Sequence, residues 1–108
     1  MALGRARHFD EAQRELEASL RADPELADAH QLLADLLMAK EQPQAALPHY
    51  REALRIRPEL SRMRLGLASA LISTGNITEA IKQLQVAAAG EDPTVRDDAT
   101  QMLRQLGK

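Results

Sequence analysis

The sequence predicts an all-α chain made of stacked antiparallel helix pairs, and three observations predict it. First, residues repeat at an interval of 34: Ala12, Ala46 and Ala80 keep it, as do Leu16, Tyr50 and Leu84. Leu33 and Leu67, Ala34 and Ala68, Leu37 and Leu71, and Pro24 and Pro58 keep the same 34-residue spacing. A fixed period of this size is the mark of one supersecondary unit stacked on copies of itself. Second, Ala, Leu, Glu, Arg and Gln abound, β-branched residues are few, and there are only five glycines, a composition that favours helix. Third, apolar residues recur at helical spacing in short blocks punctuated by proline or glycine.

Seven blocks follow in order. The first is a remnant, Ala2 to Arg7, followed by a turn that holds His8. The second spans about Asp10 to Ala22, with Ala12, Leu16 and Leu20 on one face. Asp23-Pro24 ends it, because a residue before proline is driven out of the helical region. The third spans about Leu26 to Lys40, carrying Ala29, Leu33, Leu36 and Leu37. Pro43 then suits the first position of the fourth, about Pro43 to Ile56, where Ala46, Tyr50, Ala53 and Leu54 face inward. Pro48 lies inside that helix, removes a backbone bond to Gln44, and is expected to face outward at a bend costing about 3 kcal/mol.

Arg57-Pro58 closes the fourth block. The fifth, about Leu60 to Thr74, carries Leu67, Ala68, Leu71 and Ile72, and Gly75-Asn76 supplies a turn tolerant of positive φ. The sixth runs from about Ile77 to Ala89, with Ala80, Ile81, Leu84, Ala87 and Ala88. The seventh, about Pro93 to Leu106, places Val95, Ala99, Met102, Leu103 and Leu106 on one stripe and Arg96, Asp97, Asp98, Gln101, Arg104 and Gln105 opposite. A last helix with one apolar and one charged face is what closes the open end of a solenoid.

Composition narrows function. With 108 residues the chain is one domain. Fourteen basic and sixteen acidic side chains leave a net charge of −2, which argues against non-specific nucleic-acid binding. Without cysteine there is neither a disulfide framework nor a thiolate metal site; this fits a cytosolic protein and leaves the periplasm open. No apolar run approaches the roughly 20 residues that span a bilayer, so no membrane insertion is expected. The start, Met1-Ala2-Leu3-Gly4-Arg5, has no apolar core of a signal peptide.

Helix pairs of 34 residues with Ala and Pro at these places resemble the tetratricopeptide repeat. Its pattern of Trp, Leu, Gly and Tyr on a first helix, then Ala, Phe, Ala and Pro on a second, is matched between Ala27 and Leu60 by His30, Leu33, Ala34, Leu37, Ala46, Tyr50, Ala53 and Pro58. In the next copy the matching residues are Arg64, Leu67, Ala68, Leu71, Ala80, Leu84 and Ala87, with Pro93 displaced by one. His30 and Arg64 replace the family's aromatic, which thins that contact. The resemblance implies a right-handed α-solenoid, a superhelix of about six helices plus an N-terminal remnant. Its divisions are a partial repeat at 1–26, repeats at 27–60 and 61–93, and a capping helix at 94–108. The partial repeat, with Phe9, Ala12, Leu16, Ser19 and Leu20 but almost no first helix, reads as the C-terminal part of a longer solenoid or a piece cut from one. A second copy could instead cover the exposed face of Phe9, Ala12, Leu16 and Leu20, by dimerising or by exchanging helices.

The candidate chemistry is sparse. His8, His30 and His49 form neither an HExxH motif nor an i, i+4 pair, so no zinc site is recognisable. No serine sits in a Gly-x-Ser-x-Gly turn, and Gly66 stands alone without a phosphate-loop pattern. The chain therefore reads as a non-enzyme without cofactor or metal. In the family, ligands lie on the concave surface lined by the first helices. Here that surface is expected to present Asp28, Gln31, Asp35, Met38 and Ala39, then Arg62, Leu65, Ser69, Ile72 and Ser73. This groove is acidic at one edge, apolar along Met38, Leu65 and Ile72, and basic at Arg62, suited to a peptide or helix of a protein partner. The bland alternative is an inner face that only meets solvent and neighbouring helices.

The family's chaperone-binding branch grips a C-terminal carboxylate with Lys, Arg and Asn. Leu32 and Gly66 stand at two of those places and Asp35 would repel a carboxylate, so only Arg62 fits. Arg51, Arg55, Arg57, Arg62 and Arg64 straddle Pro58, but Glu52 and Glu59 interleave, which favours a solvated face over an acidic partner. The leading expectation is a non-catalytic interaction scaffold. Self-association is the alternative, and a scaffold segment of a larger enzyme or secretion apparatus is a third.

Overall fold

A computed structural model describes residues 2–107, with side chains from residue 8 onward, so the outer limits 1 and 108 and the side chains of the Ala2 to Arg7 remnant lie outside the described residues. Six helices follow one another: α1 (Ala2–Ala22), α2 (Ala27–Ala39), α3 (Pro43–Ile56), α4 (Ser61–Ser73), α5 (Ile77–Ala88) and α6 (Pro93–Gln105). Each packs on the next, and α4 also meets α2 and α6, so the pairs stack into an α-solenoid.

The prolines and glycines set the boundaries. Pro24 and Pro58 lie in the turns after α1 and α3, and Pro43 opens α3. The α2–α3 and α4–α5 turns are copies of each other. Each passes through one left-handed residue, Glu41 (φ 60°) and its repeat partner Gly75 (φ 84°). In each the next N–H reaches back to an orphan carbonyl: Gln42 donates to Leu37 at 2.8 Å and Asn76 to Leu71 at 2.7 Å. Only glycine takes this conformation without steric cost, so Glu41 is the strained copy.

Two points depart from the sequence reading. The remnant and the second block form one continuous helix, α1, and His8 lies within it rather than in a turn. Nothing between Arg7 and Asp10 breaks a helix, and the apolar stripe runs on through Phe9 and Ala12. Pro93 does not close a repeat as Pro24 and Pro58 do; it opens α6, where Asp92 caps the helix by accepting from the N–H groups of Thr94 and Val95. Pro48 is exposed, and α3 continues through it.

The core is aliphatic. Ala34, Ala46, Ala53, Ala68, Ala80 and Ala87 are buried to within 1% where helices approach, so their size sets the inter-helix spacing. Leu33, Leu37, Leu67, Leu71 and Leu84 fill the volume between them, with Tyr50 as the single large aromatic.

Candidate functional site

The face shared by α2 and α4 holds a cleft of about 250 Å³, lined by Gln31, Asp35, Tyr50, Arg62, Met63, Leu65, Gly66 and Ser69. A second one of about 310 Å³ continues past Gln31 and Arg62 to Glu59, Ser61 and Asp92. Of the groove residues expected from sequence, Gln31, Asp35, Arg62, Leu65 and Ser69 come together here. Asp28, Met38 and Ile72 lie outside the cleft walls; Asp28 is exposed, while Met38 and Ile72 pack half-buried against the core. Leu65 lines the floor as a core residue, 9% exposed. The reason is that α4 has helices on several sides, α2, α3, α5 and α6, and so buries more of its circumference than one stripe.

Tyr50 shapes this cleft. Its ring lies directly on Gly66, where an added Cβ would come within 2.7 Å of ring carbons. Its hydroxyl donates to the Asp35 carboxylate across the α2–α3 seam. Burial, then the hydrogen bond to Asp35 and its charge, push the phenol above its ordinary pKa, so it stays a donor. Sequence reading found no role for Gly66 because that role depends on a residue 16 positions away.

A second set of polar contacts repeats with the fold. His30 donates Nε2–H to the Pro24 carbonyl at 2.9 Å, and its Nδ1 meets Nδ1 of His49 at 3.1 Å. One repeat on, Arg64 donates to the Pro58 carbonyl at 3.3 Å and to Oε1 of Gln83 at 2.9 Å. The partners are themselves repeat equivalents, Pro24 with Pro58 and His49 with Gln83. The residues that replace the family's aromatic thus tie the preceding turn to the following helix. Sequence alone suggested only a thinner contact there.

Because His30 spends its Nε2 proton on Pro24, its Nδ1 accepts, and His49 donates from Nδ1. The ring centroids are 5.4 Å apart, which is the 3.1 Å nitrogen separation plus the two ring radii, so both nitrogens lie on the line between the rings. That is the geometry of one shared proton; two metal ligands would converge on a point off the line. Among the described residues no group of three or more His, Asp or Glu side chains is placed to hold a metal ion. Burial first, then His30, hold His49 below its ordinary pKa, while Glu17 and Glu52 pull the other way.

The arginine stretch is largely engaged. Arg51 pairs with Glu79 at 3.0 Å, Arg55 pairs with Glu25 and Glu52, and Arg64 is taken up as above. No helix among the described residues is long and apolar enough to cross a membrane.

On the other side of α2, a larger apolar groove of about 590 Å³ opens between α1 and α2. It is lined by Phe9, Ala12, Glu15, Leu16, Ser19, Leu32, Asp35, Leu36 and Ala39. Of the expected self-association face, Phe9, Ala12 and Leu16 line it and Leu20 does not; Leu16 and Leu20 both pack half-buried against the core.

Comparison with known proteins places this architecture. Residues 37–97 match one model of the tetratricopeptide repeat and residues 1–61 match another. No curated protein matches the chain. Among solved structures, the fold is similar to the crystal structure of the TPR domain of P58(IPK), with a TM-score of 0.80 and 21% identity over 96% of this chain. The chain spans 29% of that protein chain's length.

Proposed function

Since the chain belongs to the tetratricopeptide-repeat family, we propose that it is a non-catalytic scaffold that binds a peptide segment of a partner protein along the α2–α4 face. The observation that carries this reading is the cleft between Gln31, Asp35, Arg62 and Ser69. It joins two successive repeats at positions where their residues differ, while the packing positions agree. Its walls offer an acceptor at Asp35, a guanidinium at Arg62 and an apolar floor at Leu65 and Met63, the few polar groups over apolar surface that a bound segment needs. Asp35, already accepting from Tyr50, is held in place to receive a second donor. A carboxylate-terminal ligand is disfavoured by that same charge.

The test is selection of binders from a random peptide library, followed by substitution on the cleft rim. Arg62→Glu and Ser69→Arg should abolish binding of the selected peptides and leave helicity and melting temperature unchanged, since Arg62 is exposed and Ser69 half-exposed. Leu65 is unsuitable for this purpose, because a charge there would disrupt the core. Peptides that bind the two variants as well as the parent would sink the proposal.

A further inference from the structure

The ion pairs of this surface lie outside the α2–α4 cleft: Lys40 with Asp10, Arg51 with Glu79, and Arg55 with Glu25 and Glu52. Within the cleft lining stand one carboxylate, Asp35, and one guanidinium, Arg62. Among the described residues neither of them forms an ion pair. Asp35 is nevertheless held. The Tyr50 hydroxyl donates to its Oδ1, which fixes the carboxylate and leaves Oδ2 to accept from a ligand. The floor beside it is apolar, built from the buried side chains of Met63 and Leu65. Gly66 adds no side chain to the lining, and the Tyr50 ring that lies on it leaves no room for one.

We propose that this slot takes a lysine side chain of the bound segment, an inference that rests on the cleft being the binding face. A slot with an apolar floor and one fixed carboxylate suits a long basic side chain. Its methylenes cover the floor while its charge stays at the polar end. Lysine fits better than arginine, because a guanidinium makes its strong pair through both carboxylate oxygens and Oδ1 is already engaged. An ammonium needs only Oδ2.

Arg62 gives the segment a second requirement. Its counterpart one repeat earlier is Asp28, seven positions before Asp35. The two cleft charges are therefore offset by about 10 Å along the helix direction, roughly three residues of an extended chain. The segment thus carries an acidic residue about three places from its lysine.

The probes are end-blocked heptapeptide pools, random except for a central Lys, Arg, Gln or Glu, titrated against the 108-residue chain. The Lys pool should bind about tenfold more tightly than the Gln pool, with the Arg pool between them, and the Glu pool should not bind. Asp35→Asn keeps an acceptor for Tyr50 and removes the charge, so the fold stands and the Lys pool should fall to the level of the Gln pool. Placing Glu three positions to one side of the lysine should strengthen binding, and Arg62→Glu should remove that gain. Asp35 also borders the α1–α2 groove, so two further variants separate the faces. Ser69→Arg, in the cleft alone, should abolish binding, and Glu15→Gln, in the groove alone, should leave it unchanged. Equal binding of the Lys and Gln pools, or indifference to Asp35→Asn, would overturn the lysine assignment; if Ser69→Arg still abolished binding, the cleft itself would stand as the binding face. No binding by any pool, or binding lost with Glu15→Gln and kept with Ser69→Arg, would overturn both.

Discussion

The two ends of the solenoid carry the same packing residues in opposite circumstances. At one end α6 lies over α5 with Val95 and Ala99 buried, its charged residues turned outward and its first turn capped by Asp92. Beneath it Ala80, Leu84 and Ala87 are sealed to within 1%. At the other end their repeat equivalents on α1 are Ala12, Leu16 and Ser19, half-buried or exposed beside an open groove. Repetition of sequence therefore does not give repetition of energy. A packing residue contributes only what its neighbours let it bury.

The sharpest way to break this comparison is a matched pair of truncations. Leu84→Ala leaves a cavity in sealed core and should cost about 2–5 kcal/mol, whereas Leu16→Ala should cost less than half as much. Urea titration of both variants measures this, and equal losses would mean that α1 is covered in solution.

The next effect contrasts Gly66 with its equivalent Leu32. Gly66→Ala drives a methyl into the Tyr50 ring and should destabilise by about 1–3 kcal/mol, while Leu32→Ala should stay within about 0.5 kcal/mol. Thermal melts compare them directly. Restoring stability to Gly66→Ala by Tyr50→Leu, the residue the first copy uses, would confirm that ring and glycine act as a pair.

The turns offer a smaller contrast. Glu41→Gly relieves a left-handed side chain and should stabilise by about 0.5–1 kcal/mol, net of the added freedom of the unfolded chain. Gly75→Ala should move stability the opposite way by a similar amount. A fall in melting temperature for Glu41→Gly would show that the glutamate makes a compensating contact.

Much of this was legible beforehand. Helix limits from α2 to α6 were readable to within a residue or two, because Pro24, Pro43, Pro58, Gly75 and Pro93 punctuate the chain by steric rules that act locally. The packing alanines were legible because a period of 34 displays them two or three times over. The α1 stretch was misread where no such punctuation exists, around His8. Leu65 lines the cleft as assigned, but its burial was not legible, because periodicity reveals one buried stripe whereas a central helix like α4 is walled on several sides. The pairings of Tyr50 with Gly66 and Asp35, and of His30 with His49, join different helices and leave no local trace.

The histidine pair supplies the smallest effect. A histidine held below its unfolded value of 6.5 binds fewer protons folded than unfolded. Its contribution is present above that value and is lost as pH falls through the lower folded one. Melting temperature should therefore decline as pH falls below 6.5, ahead of carboxylate titration. His49→Gln, which installs the residue of the next copy, should flatten that decline. An unchanged slope would show that the pair does not couple to folding.

The central claim is that the copies agree where they pack and differ where they bind, along the α2–α4 face. Hydrogen exchange with and without a library-selected peptide tests it most directly. Protection should appear in the segments of Gln31 to Asp35 and Arg62 to Ser69. Protection confined to α1, or none on either segment, would contradict it.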